Sequence, residues 1–239
     1  MFGKLKRFIS VILLLTVAVC TAFSQTRKLQ NNPYIDQRRL HYGFFFGMQV
    51  QDIKFRNNGF ITEDGESWFA DVDEYLPGFQ VGVLAELYLH EHFSLRFLPS
   101  LFFGDRKVVF KEQNVTQERT YMDMKTCYVS VPVNLKFSAE RVNNYRPYLV
   151  VGASPLVNLM IKKQRHVLIK PFDFQIEVGM GCDIYLKFFK LIPELKFNFG
   201  LLDIIEKTRN DLTDKSLMKF TQSIDRGVSR SISLTFYFE

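Results

Sequence analysis

Between residues 172 and 188 the chain alternates without a break. Phe172, Phe174, Ile176, Val178, Met180, Cys182, Ile184, Leu186 and Phe188 share one parity, and Asp173, Gln175, Glu177, Gly179, Gly181, Asp183, Tyr185 and Lys187 share the other. Period two is strand geometry, because successive side chains point to opposite faces. The last nine residues repeat it, with Ile232, Leu234, Phe236 and Phe238 against Ser231, Ser233, Thr235 and Tyr237. Counting the oily parity along the chain predicts further strands near 41–55, 78–89, 93–110, 121–137, 146–160 and 192–201. The register of 146–160 stays open, since 147–151 is oily on both parities. The expectation is an all-β fold, an antiparallel up-and-down membrane-spanning β-barrel of about eight strands, oily outward and polar inward.

Composition supports a lipid-facing surface. The 239 residues include 25 Phe, and aromatics make up 15%. At the amino end Lys4, Lys6 and Arg7 precede an apolar run to Val19, and Ala22 and Ser24 place small residues before Gln25, the pattern of a cleaved signal peptide. An uncleaved anchor and a lipid-modified Cys20 are the alternatives. The apolar run is shorter than the ~20 residues that span a bilayer, and Val19 is large for lipoprotein processing. The expected organisation is a signal peptide over 1–24, a periplasmic arm over 25–40 and the barrel over 41–239. Losing Lys4, Lys6 and Arg7 with no acid lowers the formal charge from +6 to +3, too small an excess to point to nucleic acid.

The connections predict the orientation. Short links at 90–92, 138–145 and 189–191 should face the periplasm; longer ones at 56–77, 105–120, 161–170 and 202–227 should face outward. Tyr42, Phe93, Phe137, Phe188 and Phe238 would form an aromatic girdle at the short-link end. Inward charges of mixed sign, Glu86, Arg96, Glu177, Asp183, Lys187, Glu194 and Lys196 with Lys136 and Asp173, should pair across a narrow lumen and fill it. Pro132, in mid-strand without a donor, predicts a bulge. Cys127 and Cys182 read as small buried thiols, not as a disulfide framework.

Catalytic patterns are weak. His92 and Ser94 resemble the His-x-Ser of outer-membrane lipid A deacylases, but both fall at a short turn on the wrong side for lipid A. Asp173, Glu177 and Asp183 stand too far apart along a strand to share a proton. His41, His90, His92 and His166 lack metal-ligand spacing, so no catalytic, cofactor or metal residue is assigned. Asn114-Val115-Thr116 matches a glycosylation sequon, a match common by chance. Lys162, Lys163, Arg165 and His166 either neutralise lipopolysaccharide phosphates or belong to a solvated loop. The 202–227 link is oily enough to dock on a partner or to fold over the barrel mouth.

The run Tyr128–Phe137, with Pro132 and Lys136, followed by Arg146–Ala153, with Pro147, Tyr148 and Gly152, resembles the strand four to strand five signature of the PorT family of Bacteroidetes outer-membrane barrels. Phe197–Ile204 and the Ser229–Phe236 ending are compatible with it. The resemblance implies a part in type IX secretion, the export of proteins bearing a carboxyl-terminal signal domain, which supports gliding in some species. Its implied partners are other secretion components, beside outer-membrane lipid and lipopolysaccharide. The residues themselves leave open a stand-alone surface barrel.

Overall fold

A computed structural model describes residues 30–62, 65–112, 119–160, 166–209, 212 and 214–239. The expected signal peptide, the sequon and the basic run 162–165 lie outside the described residues. The strands are β1 (Leu40–Asn57), β2 (Trp68–Glu74), β3 (Pro77–His90), β4 (Phe93–Phe97), β5 (Ser100–Glu112), β6 (Arg119–Ser130), β7 (Val133–Ser138), β8 (Tyr145–Asn158), β9 (Phe172–Tyr185), β10 (Lys190–Gly200) and β11 (Ile224–Phe238). They form one antiparallel sheet whose first and last ring strands, β1 and β11, pair from Phe44↔Phe238 onward. The β8–β9 pairing completes the ring.

The ring has eight members because β4 with β5, and β6 with β7, are single strands broken in mid-course. Prolines cause the breaks. Pro99 and Pro132 have no N–H to give the ladder, yet their carbonyls still accept, from Val83 N–H at 3.1 Å and Leu98 N–H at 3.0 Å, and Pro155 O accepts from Val131 N–H at 3.1 Å. The bulge expected at Pro132 is therefore corrected to a simple interruption. Ser130 faces Leu156 and Val133 faces Ala153, so no extra residue enters on either side.

Parity sorts the side chains between lipid and lumen. Tyr42, Phe44, Met48, Val83, Leu149, Val178, Ile232 and Leu234 are exposed outward, while Phe45, Tyr148, Ile192 and Tyr237 are buried within. In lipid a backbone group without a partner costs several kcal/mol, which ring closure avoids. Strand β8 takes the register that the sequence left open, with Tyr148, Val150 and Leu156 inward and Leu149, Val151 and Val157 outward.

On the long-loop side the polarity inverts. Leu101 and Phe103 point out of β5, but farther along the same strand Val108 and Phe110 are buried on the inward parity, and Val109 between them is buried as well. Met122 and Met124 do the same on the paired strand β6. The strands have left the apolar band at this level, so the oily residues gather inside and Asp71, Lys107 and Lys111 face outward, where Lys107 Nζ meets Glu74 at 2.8 Å. Among the described residues strand β2 pairs with this extension of β5 alone.

Candidate functional site

The lumen is built in layers. At its centre Arg96, fully buried on β4, donates from Nε to Glu86 of β3 at 2.6 Å and from Nη1 to Glu194 of β10 at 2.8 Å. Lys136 of β7 lies 2.7 Å from Asp183 of β9 and 3.5 Å from Glu86. Lys196 lies 3.2 Å from Glu177 and 3.7 Å from Glu194. Tyr148 and Tyr237 donate to Glu194 at 2.6 and 2.7 Å, and the Arg96 guanidinium stacks 4.7 Å from the Tyr148 ring centroid. Charged side chains from five of the eight ring strands thus meet in one cluster, and the two tyrosines add two more strands to it. Buried charges persist only when paired and hydrogen-bonded on all sides, and these carboxylates each hold two or more partners.

Two residues of the resemblance motif sit inside this cluster. Lys136 Nζ stands over the Tyr148 ring at 4.4 Å. Gly152 packs against the neighbouring strand, where a Cβ would collide with Asn134 Oδ1 and Val133 O. Pro132 breaks its strand as described, and Pro147 faces outward opposite Cys182.

Lys187 is not part of the cluster, which corrects the expectation from parity. Strand β9 ends at Tyr185, and Leu186 N–H donates to Phe189 O at 3.0 Å to close a tight turn that leaves Lys187 exposed. Phe188 stands out in the same turn, 92% exposed. Lys190, one strand start later, takes the inward place and meets Glu239 at 2.7 Å, beside His41 at 2.5 Å from the same carboxylate. The short link between these strands is therefore 186–189, not 189–191.

The short-turn end is covered by the chain itself. Asp36, in the short 3-10 turn Ile35–Gln37, accepts from Tyr185 Oη at 2.7 and 2.8 Å and lies 3.7 Å from Arg146. Arg141 reaches across to the carbonyls of Asn31 and Asn32 and stacks 3.6 Å from the Tyr185 ring centroid. Asn31 N–H donates to Asn144 Oδ1 at 2.8 Å. Residues 30–39 thus lie against the barrel end.

Above the charged cluster comes a layer of mostly uncharged polar side chains, with Arg106 and Asp173 at its edge. Ser231 Oγ accepts from Gln49 at 2.7 Å and Asn198 at 3.0 Å, and Ser100 meets Ser130 at 2.6 Å. Arg106, buried, donates to Tyr128 Oη at 2.9 Å and to Gln51 at 2.5 Å. A cavity beside Arg106 and Asp173 has a volume of about 10 Å³, and one beside Glu86 and His41 about 20 Å³. Each has room for roughly one water.

The long-loop end is closed by oil. Ile204, Ile205 and Phe220, from the link after β10, pack with Trp68, Val72, Val108, Phe110, Met122, Val167 and Ile224 in one buried cluster. Phe220, in the short helix Met218–Gln222, lies 5.0 Å from Trp68 and 4.8 Å from Phe110 between ring centroids. Of the two outcomes expected for this link, folding over the mouth is the one observed. Lys219 latches it to Glu66 at 2.6 Å, and the Lys219 hydrogen bond, then that of the Trp68 indole, hold the Glu66 carboxyl below the usual carboxylate range. Sequence reading does not find this cap as a unit, although the inverted parity of Val108, Phe110, Met122 and Met124 signals it.

The remaining candidates stay apart. His92 Nδ1 lies 3.0 Å from Ser138 O, while Ser94 Oγ donates to Glu86 at 2.7 Å, so they make no nucleophile–base pair. Cys127 is buried, Cys182 is half-buried, and neither forms a disulfide. Among the described residues no group of three His, Cys, Asp or Glu side chains is placed to hold a metal ion.

A closed ring of eight antiparallel strands, apolar outside, ion-paired inside and ringed with Phe and Tyr at the short-turn end, is the architecture of an outer-membrane β-barrel. The chain belongs to the outer membrane protein beta-barrel domain family, whose model matches residues 23–206, and it resides in the outer membrane. No curated protein matches it by sequence. Among solved structures it is similar to the neisserial surface protein A (NspA), with a TM-score of 0.41 and 10% identity, over 84% of this chain and 98% of that chain. Ail, the attachment invasion locus protein of Yersinia pestis, solved with the heparin analogue sucrose octasulfate, gives 0.37 and 12%, over 84% and 99%. OprG from Pseudomonas aeruginosa gives 0.35 and 12%, over 83% and 91%.

Proposed function

We propose that this protein is a non-conducting, non-catalytic outer-membrane barrel that works through its two ends, as an accessory or assembly component of type IX protein secretion. The observation that carries the first half is the buried Arg96 cluster, which joins five ring strands across the lumen between an oily cap and the 30–39 arm. A barrel so filled offers no path to a folded cargo protein. Its contribution to export then lies in contacts made by the arm, the short turns and the outer loops with other machinery components. The second half rests on the PorT-like residues, of which Lys136 and Tyr148 belong to the same cluster. In this reading the short turns and the arm face the periplasm and the capped end faces outward.

The test is a gene deletion followed by fractionation. Proteins with the carboxyl-terminal signal domain should accumulate in the periplasm and return to the surface when the gene is restored. Ordinary secretion after deletion would remove the secretion role and leave a stand-alone surface barrel, an adhesin or a structural protein.

A further inference from the structure

Where the lipid-facing band of β1 and β11 ends on the long-loop side, the outward positions become cationic. Met48 and Val50 on β1, and Leu234 and Ile232 on β11, are the last exposed apolar residues. The register then runs Val50↔Ile232, Asp52↔Arg230, Lys54↔Val228 and Arg56↔Arg226. Lys54, Arg56, Arg226 and Arg230 are all exposed and on the parity that faces away from the lumen, since Ile53, next to Lys54 on the opposite parity, is 2% exposed. Arg230 and Lys54 lie two and four residues past the band, about 7 and 13 Å along the strand.

This arrangement is unfavourable in the bare protein. Arg56 and Arg226 are direct cross-strand partners, and like charges opposite one another destabilise a sheet; Lys54 is on the diagonal to both Arg226 and Arg230. Among the described residues the compensation is thin. Asp225 lies 3.5 Å from Arg56 and 3.9 Å from Lys207. Arg226 Nη2 donates only to Leu201 O, at 2.8 Å, and Lys54 and Arg230 have no hydrogen bond or ion pair. Asp52, opposite Arg230, forms no ion pair with it.

We propose that Lys54, Arg56, Arg226 and Arg230 form a docking surface for the phosphorylated glycolipid headgroup of the outer leaflet, the phosphates sitting among the guanidinium groups while the acyl chains lie along Met48, Val50, Ile232 and Leu234. Guanidinium groups bind phosphate through paired hydrogen bonds. The apolar band directly beneath supplies what a free anion would not use. The proposal rests on the reading that the capped end faces outward, and its test does not involve secretion, so the two can fail separately.

The protein purified from the outer membrane into detergent micelles would be titrated with bisphosphorylated lipid A, with the same lipid A lacking phosphates, and with inorganic phosphate, and bound lipid counted by native mass spectrometry. Basic residues at an anionic membrane surface contribute enough that Lys54→Gln, Arg226→Gln and Arg230→Gln together should weaken lipid A binding at least about tenfold. The control Arg38→Gln, Arg39→Gln, Lys187→Gln has the same change in charge at exposed sites of the opposite, short-turn end and should bind as the parent does. Removal of the phosphates should weaken binding about as much as the triple variant does, and millimolar inorganic phosphate should not compete. Lys54→Gln alone, at an exposed position with no partner, should shift affinity in the same direction if the triple variant fails to fold. Equal binding by the triple variant, an equal weakening in the control, undiminished binding of dephosphorylated lipid A, or competition by free phosphate would each overturn the proposal.

Discussion

Replacing Arg96 by methionine keeps most of the side-chain volume and removes the charge that holds the lumen together. Arg96 is fully buried and meets Glu86 at 2.6 Å, Glu194 at 2.8 Å and Asp183 at 3.9 Å, with Tyr148 Oη at 3.2 Å. Without it Glu86 keeps Lys136 at 3.5 Å and Glu194 keeps Lys196 at 3.7 Å, both weaker pairs than those the guanidinium makes with the same two carboxylates. Breaking one side of a buried ion pair leaves an uncompensated charge and costs about 3–5 kcal/mol. Arg96→Met should therefore lower the unfolding free energy by that amount, read from urea titrations of the barrel in lipid vesicles by circular dichroism and by the gel-mobility shift of folded barrels. Arg96→Lys keeps the charge but not the fork that reaches two carboxylates, and should fall between parent and methionine. Adding Glu86→Gln to Arg96→Met should cost less than the sum of the single changes, because the second substitution removes a charge that the first left unpaired. A stability within about 0.5 kcal/mol of the parent for Arg96→Met, the range of ordinary surface changes, would refute the view that the cluster holds the lumen together.

Cysteines placed singly at Ile176 and Val178 should react with lipid-soluble reagents and those at Gln175 and Glu177 should not; the opposite pattern would reverse the face of β9. Phe220→Ala removes a ring packed on Trp68 and Phe110, a change worth about 3–5 kcal/mol in a core. Limited proteolysis should then cut the 202–227 link faster, and unchanged cleavage would mean that the cap is not held by this ring. Gly152→Val drives a branched side chain into Asn134 and the Val133 carbonyl, so it should lower stability by about 1–3 kcal/mol in the same urea titration, and a neutral result would contradict the close approach of β7 and β8.

Alternation reveals the lipid-facing side of the barrel because every exposed residue there answers to one solvent. The carboxyl-terminal strand and β9 up to Tyr185 read correctly for that reason. Parity fails where the chain turns. Nothing in the alternation of Asp183, Tyr185 and Lys187 marks the point at which the Leu186–Phe189 hydrogen bond ends the strand, so parity places Lys187 inward and passes over Lys190. The cap is harder still, since its residues come from β1, β2, β5, β6, β11 and the links before β9 and after β10, and only the ring brings them together. Cross-lumen partners share this property: sequence gives the sign and face of Arg96 and Glu194, but their 2.8 Å contact depends on the strand order.

The claim that the barrel is sealed, and that it acts through its ends, is tested most directly by single-channel recording of the purified protein in a planar bilayer. The lumen holds a buried ion cluster and cavities of about 10 and 20 Å³, and the mouth is shut by the Phe220 cluster, so the membrane should stay silent at any applied potential that the bilayer itself survives. A large, stable, ohmic conductance from the parent protein would contradict it and make transport the barrel's own activity.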